Sequence, residues 1–308
     1  MGSPTELRKK LYRAADKLRP LSSGATALIN KLARRDPEVP ELIALIERDP
    51  LLAPRVLQLV NSAAFGRVAP IASIKHAVAF LGPATLRRHA LGWTIRCLFN
   101  HMPCQATEMW SMTRLIMHSE ATAMFADILC DHLAAENSEA IYIAGLIHDI
   151  GKLLIASVAP DQVDEIYGFQ RLTGQPITES EREMLATDHA ELSGRAAERW
   201  LLPEAVQDAV RRHHTPATRA AGGGIHSSLV LAKADALVNS IGLSVTHPHY
   251  CAIGVVEFPG SERALAGAVK AFDAAWRRAN GIDPQPFEIP DPPRPSKDRL
   301  DGALALRH

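Results

Sequence analysis

Apolar residues recur at helical spacing through almost all of the first third of the chain. Residues three and four positions apart lie on one face of an α-helix, whereas a half-buried strand alternates apolar and polar residues. Alternation of that kind is not found in this region. The apolar positions form three successive sets, which are Leu42, Leu45 and Ile46; Leu51, Leu52, Val56, Leu57 and Val60; and Ala77, Val78 and Leu81. The spacing predicts several short amphipathic helices in succession.

The breaks between these helices carry capping residues. Asp49-Pro50 places a capping carboxylate before a proline, and Ser73 can cap a helix that begins at Ile74. Gly82-Pro83 ends one helix and begins another. Such short connections predict a compact array of helices, and therefore an all-α fold class.

Longer segments of helical pattern follow in the rest of the chain. We expect helices at about 108–132, 139–158, 181–200, 203–213 and 225–241. Residues 160–180 are polar and are expected to connect two of them, and residues 220–224 are expected to form a flexible link. Prolines at 284, 286, 290, 292, 293 and 295 predict an extended or disordered tail beyond Gly281.

Composition narrows the kind of protein. The 308 residues are 47% apolar, which is enough to bury a core, and 34 basic residues balance 34 acidic ones. A net charge of zero gives no overall attraction to nucleic acid or to an anionic membrane. The N-terminus is charged, no apolar run reaches the roughly 18 residues of a membrane span, and the four cysteines lack a C-x-x-C pair. These features predict a cytoplasmic protein with reduced thiols and no membrane partner.

Local clusters of basic residues and histidines are expected to be solvated. Arg87-Arg88-His89 and Arg211-Arg212-His213-His214 are of a size that is usual for solvated helix ends, so nucleic acid is not an expected partner. Five of the thirteen histidines fall in predicted loops or in the tail and are expected to face water, namely His101, His226, His247, His249 and His308.

Short motifs in a fixed order resemble those of the HDOD domain family. In the first half they are Asp49-Pro50-Leu51-Leu52, Asn61-Ser62-Ala63-Ala64-Phe65-Gly66 and Ile71-Ala72-Ser73-Ile74. In the second half they are Ala144-Gly145-Leu146-Ile147-His148-Asp149-Ile150-Gly151-Lys152, Asp188-His189-Ala190-Glu191, Trp200-Leu201-Leu202-Pro203, His213-His214 and Ala234-Asp235. The second half is also similar to the HD phosphohydrolases.

The resemblance implies a multi-helix HDOD array with an HD-like helical core in the second half. The domain boundaries that we expect are an N-terminal extension at 1–20, an HDOD domain at 21–242, a helical extension at 243–281 and a tail at 282–308. The HDOD domain would divide into an N-terminal helical subdomain at 21–105 and an HD-like subdomain at 106–242.

Four side chains in the second half suggest a metal site by their placement. Helical spacing puts His118 and Asp235 each on an apolar face. A single histidine on such a face is commonly a hydrogen-bonded core residue. A buried carboxylate costs several kcal/mol unless it is paired, and metal coordination is one established remedy. His148 and Asp149 are adjacent, so on a helix their side chains diverge by about 100° and can hold an ion at the helix flank.

The resemblance also implies which residues hold metal. One divalent ion would be bound by His118, His148, Asp149 and Asp235, and a second, by similarity to the HD-GYP phosphodiesterases, by Asp149, His189, His213 and His214. Nitrogen and oxygen donors in this number suit iron, manganese or zinc.

Two departures from the phosphodiesterase pattern bear on catalysis. Thr215-Pro216-Ala217-Thr218 follows the histidine pair where those phosphodiesterases have a Gly-Tyr-Pro loop, and Arg114 stands where some three-metal sites have a glutamate.

Two functions are compatible with this sequence. The first is HDOD-type signal transduction through binding of an unknown signalling protein or of a nucleotide or cyclic dinucleotide, with a metal site in the HD-like half. The alternative is a metal-dependent phosphohydrolase acting on a nucleotide or cyclic dinucleotide, in which Asp149 and Lys152 would be the catalytic residues. Lys152 would then hold phosphate, although its position suits a helix-end cation on the surface equally well. We expect the first four metal ligands to converge in space, because a shared ion requires ligand atoms within roughly 2.0 to 2.3 Å of it.

Overall fold

The chain folds into α-helices. The computed structural model describes residues 3–19, 29, 38–62, 70–99, 102, 104, 106–133, 138–219, 224–245 and 262–280. Within these residues the only β pairing is one isolated antiparallel bridge between Arg219 and Ile225. The predicted all-α fold class is confirmed. The proline-rich tail and most of the predicted link at 220–224 lie outside the described residues.

The described residues form fourteen helices. In chain order these are α1 (Pro4–Asp16), α2 (Val39–Arg48), α3 (Leu52–Val60), α4 (Ile74–Leu81), α5 (Pro83–Phe99), α6 (Met112–Leu133), α7 (Ser138–Ile147), α8 (Ile150–Val158), α9 (Pro160–Thr173), α10 (Ile177–Leu185), α11 (His189–Arg199), α12 (Glu204–Arg211), α13 (Ser227–Ser240) and α14 (Glu262–Asn280).

The first group of packed helices, α2 to α5, has the caps expected from the sequence. The Asp49 carboxylate accepts hydrogen bonds from the backbone N–H groups of Leu51 (2.9 Å) and Leu52 (3.1 Å) at the start of α3. Ser73 caps α4 by accepting from the His76 N–H at 3.3 Å. Gly82 separates α4 from α5 with a φ of 80°, a conformation that glycine adopts without strain. These three predictions are confirmed.

The Asn61 side chain stabilises the connection between α3 and α4 with two hydrogen bonds. Its side-chain amide donates to the Ile71 carbonyl at 2.8 Å, and its side-chain oxygen accepts from the Ile71 N–H at 2.7 Å. Both backbone groups of Ile71 are therefore satisfied by one side chain. The N-terminal motif thus stabilises the fold at this residue.

The second group of helices is built around α6. Helices α7, α13 and α14 pack on α6, α12 packs on α7, α11 and α13, and α11 packs on α8. The first group meets the second where α5 contacts α7. Helix α1 packs against α8, α10 and α11, which come much later in the sequence. The domain boundaries that we expected at residues 20, 105, 242 and 281 stay predictions.

Three helical segments differ from the prediction. The expected helix at 139–158 is two helices, because the chain turns at His148 and Asp149. The expected helix at 181–200 is interrupted before α11, where Ala186 has a φ of 55°. The polar stretch at 160–180 contains α9, whose amphipathic face buries Val163, Ile166, Tyr167 and Gln170. Polar residues on its outer face had hidden this periodicity.

One apolar segment is longer than the sequence led us to expect. Ala140–Val158 spans 19 residues with a mean hydropathy of 1.6. Our expectation that no apolar segment reaches the length of a membrane span is therefore wrong. This segment is 83% buried inside the fold and is divided between α7 and α8. Its hydrophobicity is that of core helices.

The first basic cluster is not the solvated helix end that we expected, whereas the arginines of the second cluster are exposed. Arg87 is buried, and Arg88 Nε lies 2.7 Å from the buried Asp127 carboxylate, so the first cluster belongs to the contact between α5 and the second group of helices. Arg211 and Arg212 do lie on the surface, paired with Glu198 and Asp208. Neither cluster presents a row of unpaired cations to solvent.

Candidate metal centre

Seven predicted ligands are brought to one place by five elements of the second half. His118 lies on α6, His148 and Asp149 form the turn between α7 and α8, and His189 is the first residue of α11. His213 and His214 follow α12, and Asp235 lies on α13. The first and last of these residues are separated by more than a hundred positions in the sequence, so the arrangement depends on how the helices pack.

Two glycines allow this packing. A Cβ atom on Gly145 would lie 2.5 Å from the Ala123 Cα, where α7 crosses α6. A Cβ atom on Gly151 would lie 2.1 Å from the His189 carbonyl oxygen, where α8 meets α11. Both distances are far below van der Waals contact, so only glycine permits these helices to approach so closely.

The first cluster consists of His118, His148, Asp149 and Asp235. The His118 Nε2 lies 3.0 Å from Asp235 Oδ1, 3.2 Å from His148 Nε2 and 3.5 Å from Asp149 Oδ2. The His148 Nε2 lies 3.5 Å from Asp149 Oδ2 and 3.7 Å from Asp235 Oδ1. All four residues are buried.

The second cluster consists of His189, His213 and His214, with Asp149 at its edge. The His189 Nε2 lies 2.8 Å from His214 Nε2 and 3.3 Å from His213 Nε2. It also lies 3.3 Å from Asp149 Oδ1, and His213 Nε2 lies 3.9 Å from the same oxygen. In each cluster three potential ligand atoms lie within 4.8 Å of one another, a spacing suited to one metal ion.

Asp149 joins the two clusters. Its Oδ2 faces His118 and His148, and its Oδ1 faces His189 and His213. Oδ1 is buried and accepts no hydrogen bond from any described residue. A buried carboxylate oxygen without a donor is strongly destabilising unless a cation binds it. The Asp149 carboxylate therefore presents one oxygen to each of the two clusters, and it would contribute to holding an ion in either.

Four of the imidazole rings are oriented by hydrogen bonds at Nδ1. The acceptors are the carbonyl oxygens of Leu243 for His118 (2.7 Å), Gly145 for His148 (2.8 Å) and Val210 for His213 (2.6 Å), and the Glu181 carboxylate for His189 (2.7 Å). Because these partners are acceptors, each Nδ1 must carry the proton. Outer partners of this kind fix the tautomer of metal-binding histidines and point Nε2 at the ion.

Two of the histidines face a carboxylate through a nitrogen that carries no hydrogen. A neutral imidazole has a single N–H, and in His118 that proton is held by the Leu243 carbonyl, yet Nε2 faces the Asp235 carboxylate. In His189 the proton faces Glu181, yet Nε2 faces Asp149. The nitrogen lone pairs and the carboxylate oxygens thus converge without hydrogens between them. Divalent ions bound by Nε2 and carboxylate oxygen satisfy both sets, so the residues fit a metal centre.

The protonation states agree with this arrangement. Burial would raise the pKa of Asp149 and Asp235, but the positive charge of Lys152 holds the pKa of Asp149 well below its usual range, and the neighbouring rings of His118 and His148 do so for Asp235. Burial lowers the pKa of His213 and lowers that of His214 to about 3, with neighbouring histidines adding to both shifts. At neutral pH Asp149 and Asp235 are therefore charged and His213 and His214 are neutral, the forms that bind metal. His148 differs: burial would lower its pKa, but the carboxylates of Asp149 and Asp235 outweigh burial and raise it.

Lys152 lies at the centre and not on the surface. Its ammonium group is 2.7 Å from Asp149 Oδ2, and its side chain is only 13% exposed. Burial would lower the pKa of Lys152, but the Asp149 carboxylate outweighs burial and raises it. The surface alternative is wrong, and a permanent cation stands beside the shared carboxylate.

Two residues of the site were missed from the sequence. Asn239 donates to Asp235 Oδ1 at 2.7 Å, and its position one helical turn after Asp235 could have indicated this contact. Glu181 receives hydrogen bonds from both the backbone N–H and the ring of His189. No local pattern pointed to Glu181, because it reaches the site from α10 only through the packing of α10 on α11.

Comparison with known proteins gives a match over most of the chain. The family model of the HDOD domain matches residues 18–216. An HDOD domain protein of unknown function from Geobacter sulfurreducens is 22% identical, with a TM-score of 0.62, and the match covers 98% of this chain and 94% of that one. A candidate signal transduction protein from Marinobacter aquaeolei VT8 is 19% identical, with a TM-score of 0.64 over 91% of this chain and 64% of the other.

Two further relatives extend the comparison. A candidate phosphohydrolase from Shewanella amazonensis SB2B is 23% identical, with a TM-score of 0.57 over 73% of this chain and 78% of its own. An uncharacterised protein of Treponema pallidum (strain Nichols) is 26% identical over 214 residues, which is 68% of this chain but only 40% of that protein. The chain therefore spans well under half the length of this curated relative. Asp235 and the Leu243 carbonyl lie beyond the part of the chain that the family model matches.

Proposed function

This chain belongs to the HDOD domain family, and from that premise we propose that it is a signalling module that acts by binding a ligand or a partner protein, with a two-ion metal centre in its HD-like half. The observation that carries the proposal is Asp149, a buried carboxylate whose two oxygens face two separate histidine clusters. Hydrogen bonds at Nδ1 hold the ligand rings in the orientation that ion binding needs.

The ions would be iron, manganese or zinc. The first cluster offers two nitrogens and two carboxylates, which suits manganese and iron, and the second is richer in nitrogen, which suits iron and zinc. The ligand that we propose is a nucleotide or a cyclic dinucleotide, because a phosphate group would match two metal ions and the Lys152 ammonium. From the composition of the sequence we place the protein in the cytoplasm.

A route for signalling is available through α5. Arg88 pairs with Asp127 on α6, Arg96 pairs with Glu120 on the same helix, and the Tyr142 hydroxyl on α7 donates to the Arg88 carbonyl. His118 lies on α6, and His148 and Asp149 directly follow α7. Helix α5 belongs to the first group of packed helices, α2 to α5, which we call the N-terminal group. A ligand that binds two arrangements of these helices unequally would shift the population between them, and the N-terminal group would report the shift to a partner.

The second candidate is a metal-dependent phosphohydrolase, favoured by the completeness of the ligand set. Bound divalent ions would supply Lewis-acid polarisation of a phosphoryl oxygen and a lowered pKa for water. Asp149 would be a ligand in both clusters, and Lys152 would stabilise negative charge on a phosphate. We rank this function second because Thr215 to Thr218 replace the loop that accompanies substrate recognition in the phosphodiesterases that the sequence resembles.

Metal content tests the proposal directly. Purified full-length protein should contain up to two ions of iron, manganese or zinc per chain by elemental analysis, and Asp149→Ala should lose both because it removes the shared carboxylate. Asp235→Asn or His148→Ala should lose the first-cluster ion and lower the melting temperature, since the remaining ligands stay buried with unmet charge. Asp127→Asn, a buried carboxylate paired with Arg88 outside the centre, is the control and should keep its metal. Unchanged metal in all three site variants contradicts the proposal.

The same metal-loaded preparations separate the two functions. We expect slow turnover or none when linear and cyclic nucleotides are incubated with the iron- or manganese-loaded protein and the products are followed by chromatography. Turnover that Asp149→Ala abolishes and Asp127→Asn retains would place the phosphohydrolase first.

A further inference from the structure

His226 lies outside the metal centre, and its ring belongs to a network of hydrogen bonds next to the second cluster. The sequence led us to expect a solvated histidine, and the structure instead gives it partners on both ring nitrogens. Its Nδ1 lies 2.7 Å from the Ser228 hydroxyl and accepts from the Ser228 N–H at 3.1 Å. Its Nε2 lies 3.3 Å from the Asp208 carboxylate. The expectation of a solvated ring is wrong.

The chemistry of the groups around His226 determines which of them donates and which accepts each hydrogen bond. Because the Ser228 N–H donates to Nδ1, a neutral His226 carries its proton on Nε2, directed at Asp208. The Ser228 hydroxyl accepts from the Ala217 N–H at 3.1 Å and donates to Nδ1. The Asp208 carboxylate is also paired with Arg212 at 2.7 Å. We call the set Asp208, Ala217, His226 and Ser228 the His226 clip.

The clip closes around the ligand pair of the second cluster. Asp208 lies on α12 before His213 and His214, and Ala217 lies in the loop after them. Ser228, which is fully buried, anchors both ends of the clip to the first turn of α13. Ser228 precedes the first-cluster ligand Asp235 by seven residues, which is two helical turns, so the two side chains lie on the same face of α13. The bridge between Arg219 and Ile225 closes the loop that joins them.

From this geometry we infer that His226 is a positioning residue that holds the segment carrying His213 and His214 against the start of α13, and so sets the affinity of the second cluster for its ion. The inference rests on the proposed metal centre. Residues that orient metal ligands from outside change metal affinity by about 10-fold to 100-fold when they are replaced. The expected effect is confined to the second ion, because the partners of His118 and His148 are not part of the clip.

Two substitutions separate this role from simple stabilisation of α13. His226→Asn keeps a side-chain acceptor at the N-cap, where asparagine is favoured, but is too short to reach Asp208. His226→Gln is long enough to accept from Ser228 and donate to Asp208, so it should restore the clip. Asp208→Asn weakens the same link from α12. The control is His132→Asn, because His132 is another histidine with a hydrogen-bonded Nδ1, whose partner is the Ile128 carbonyl at 2.9 Å, and it is not part of the clip.

The experiment is a titration of metal-free full-length protein with Co²⁺, in which the visible absorption bands and the stoichiometry report each ion. We expect about 10-fold weaker binding of the second ion in His226→Asn and Asp208→Asn. The first ion should bind with unchanged affinity, the melting temperature of the metal-free protein should stay the same, and His226→Gln and His132→Asn should behave as wild type.

Three results decide against the inference. Wild-type binding of both ions by His226→Asn and Asp208→Asn overturns it and leaves the metal centre standing. Equal weakening of both ions together with a lower melting temperature also overturns it, since that pattern indicates general loss of structure. Wild-type protein that takes up no Co²⁺ overturns the proposed metal centre and the inference with it.

Discussion

Asp149 and His89 illustrate how burial acts on single residues in this protein. At Asp149 burial is outweighed by the neighbouring cation Lys152 and by histidines, so the carboxylate stays charged and available for metal. At His89, on α5, burial is reinforced by the neighbouring Arg88, and together they lower the pKa of the ring to about 4. Burial favours the neutral form of both groups, but a neighbouring cation overcomes it at Asp149 and reinforces it at His89.

His89 makes folding sensitive to acid. Its pKa is lower in the folded protein than the value of about 6.5 in an unfolded chain, so the folded state binds this proton less readily. The stability that depends on neutral His89 is present above pH 6.5 and is lost as the pH falls from there toward 4. Between pH 7 and pH 5 we expect wild type to lose about 1–2 kcal/mol that His89→Gln retains. Urea unfolding of metal-free protein at both pH values measures this difference.

The control for this prediction is His76→Gln, at an exposed position on α4. It should lose as much stability as wild type over the same pH range. Equal losses in His89→Gln and wild type would show that His89 does not titrate as a buried group.

At the level of helices, close approach at glycine decides where the ligands lie. Gly151 lies in the first turn of α8, directly after Asp149, and its missing side chain lets the His189 backbone pack against it. The Gly151 N–H donates to the Ser193 hydroxyl on α11 at 2.8 Å, and this hydrogen bond stabilises the contact between the two helices. One helix contact thus holds the shared carboxylate beside the second cluster.

Gly151→Ala should separate these two helices. The new Cβ would stand 2.1 Å from the His189 carbonyl oxygen, which is backbone and cannot rotate away. We expect a loss of about 1–3 kcal/mol in the free energy of unfolding and weaker binding of the second ion. Gly168→Ala on α9 is the matched control, because nothing lies within 4 Å of its Cβ position. That variant should be neutral or up to about 1 kcal/mol more stable, as alanine is the better helix former. Equal stability of the two variants would contradict the packing argument.

Across the whole molecule, the N-terminal helix α1 packs with the helices that carry the candidate metal centre. The Tyr12 hydroxyl donates to the Glu191 carboxylate on α11, and Arg195 lies over the Tyr12 ring at 3.7 Å. Farther along the chain, the Leu18 carbonyl accepts from Arg199 and the Arg19 carbonyl from the Trp200 indole, both at 3.2 Å. Contacts between residues more than 170 positions apart therefore hold α11, which begins with the candidate ligand His189.

A pair of leucine truncations tests this long-range support. Leu11 on α1 and Leu42 on α2 are both fully buried, so each Leu→Ala change should cost about 2–5 kcal/mol. Because α1 packs on α8, α10 and α11, Leu11→Ala should speed amide hydrogen exchange in α11. Leu42→Ala should instead speed exchange in α3 to α5, with which α2 packs. Identical exchange maps for the two variants would mean that the helices unfold as one unit.

The sequence by itself determined the helical class, the caps at Asp49, Ser73 and Gly82, and the family. These follow from local causes, since helical spacing, capping and motif order are all written within short stretches of chain. The candidate ligands were also recognisable from their residue types and motifs. Their convergence was expected only because the resemblance implied it.

Tertiary structure decided the rest. The turn that splits α7 from α8 at His148, the burial of Lys152 beside Asp149, the hydrogen bond from His189 to Glu181 and the network around His226 all depend on residues brought together by packing. A polar side chain appears the same in sequence whether it faces water or a buried carboxylate. Only the three-dimensional neighbours determine which it is, because the free energy of a polar group depends on burial and on the partner within hydrogen-bonding distance.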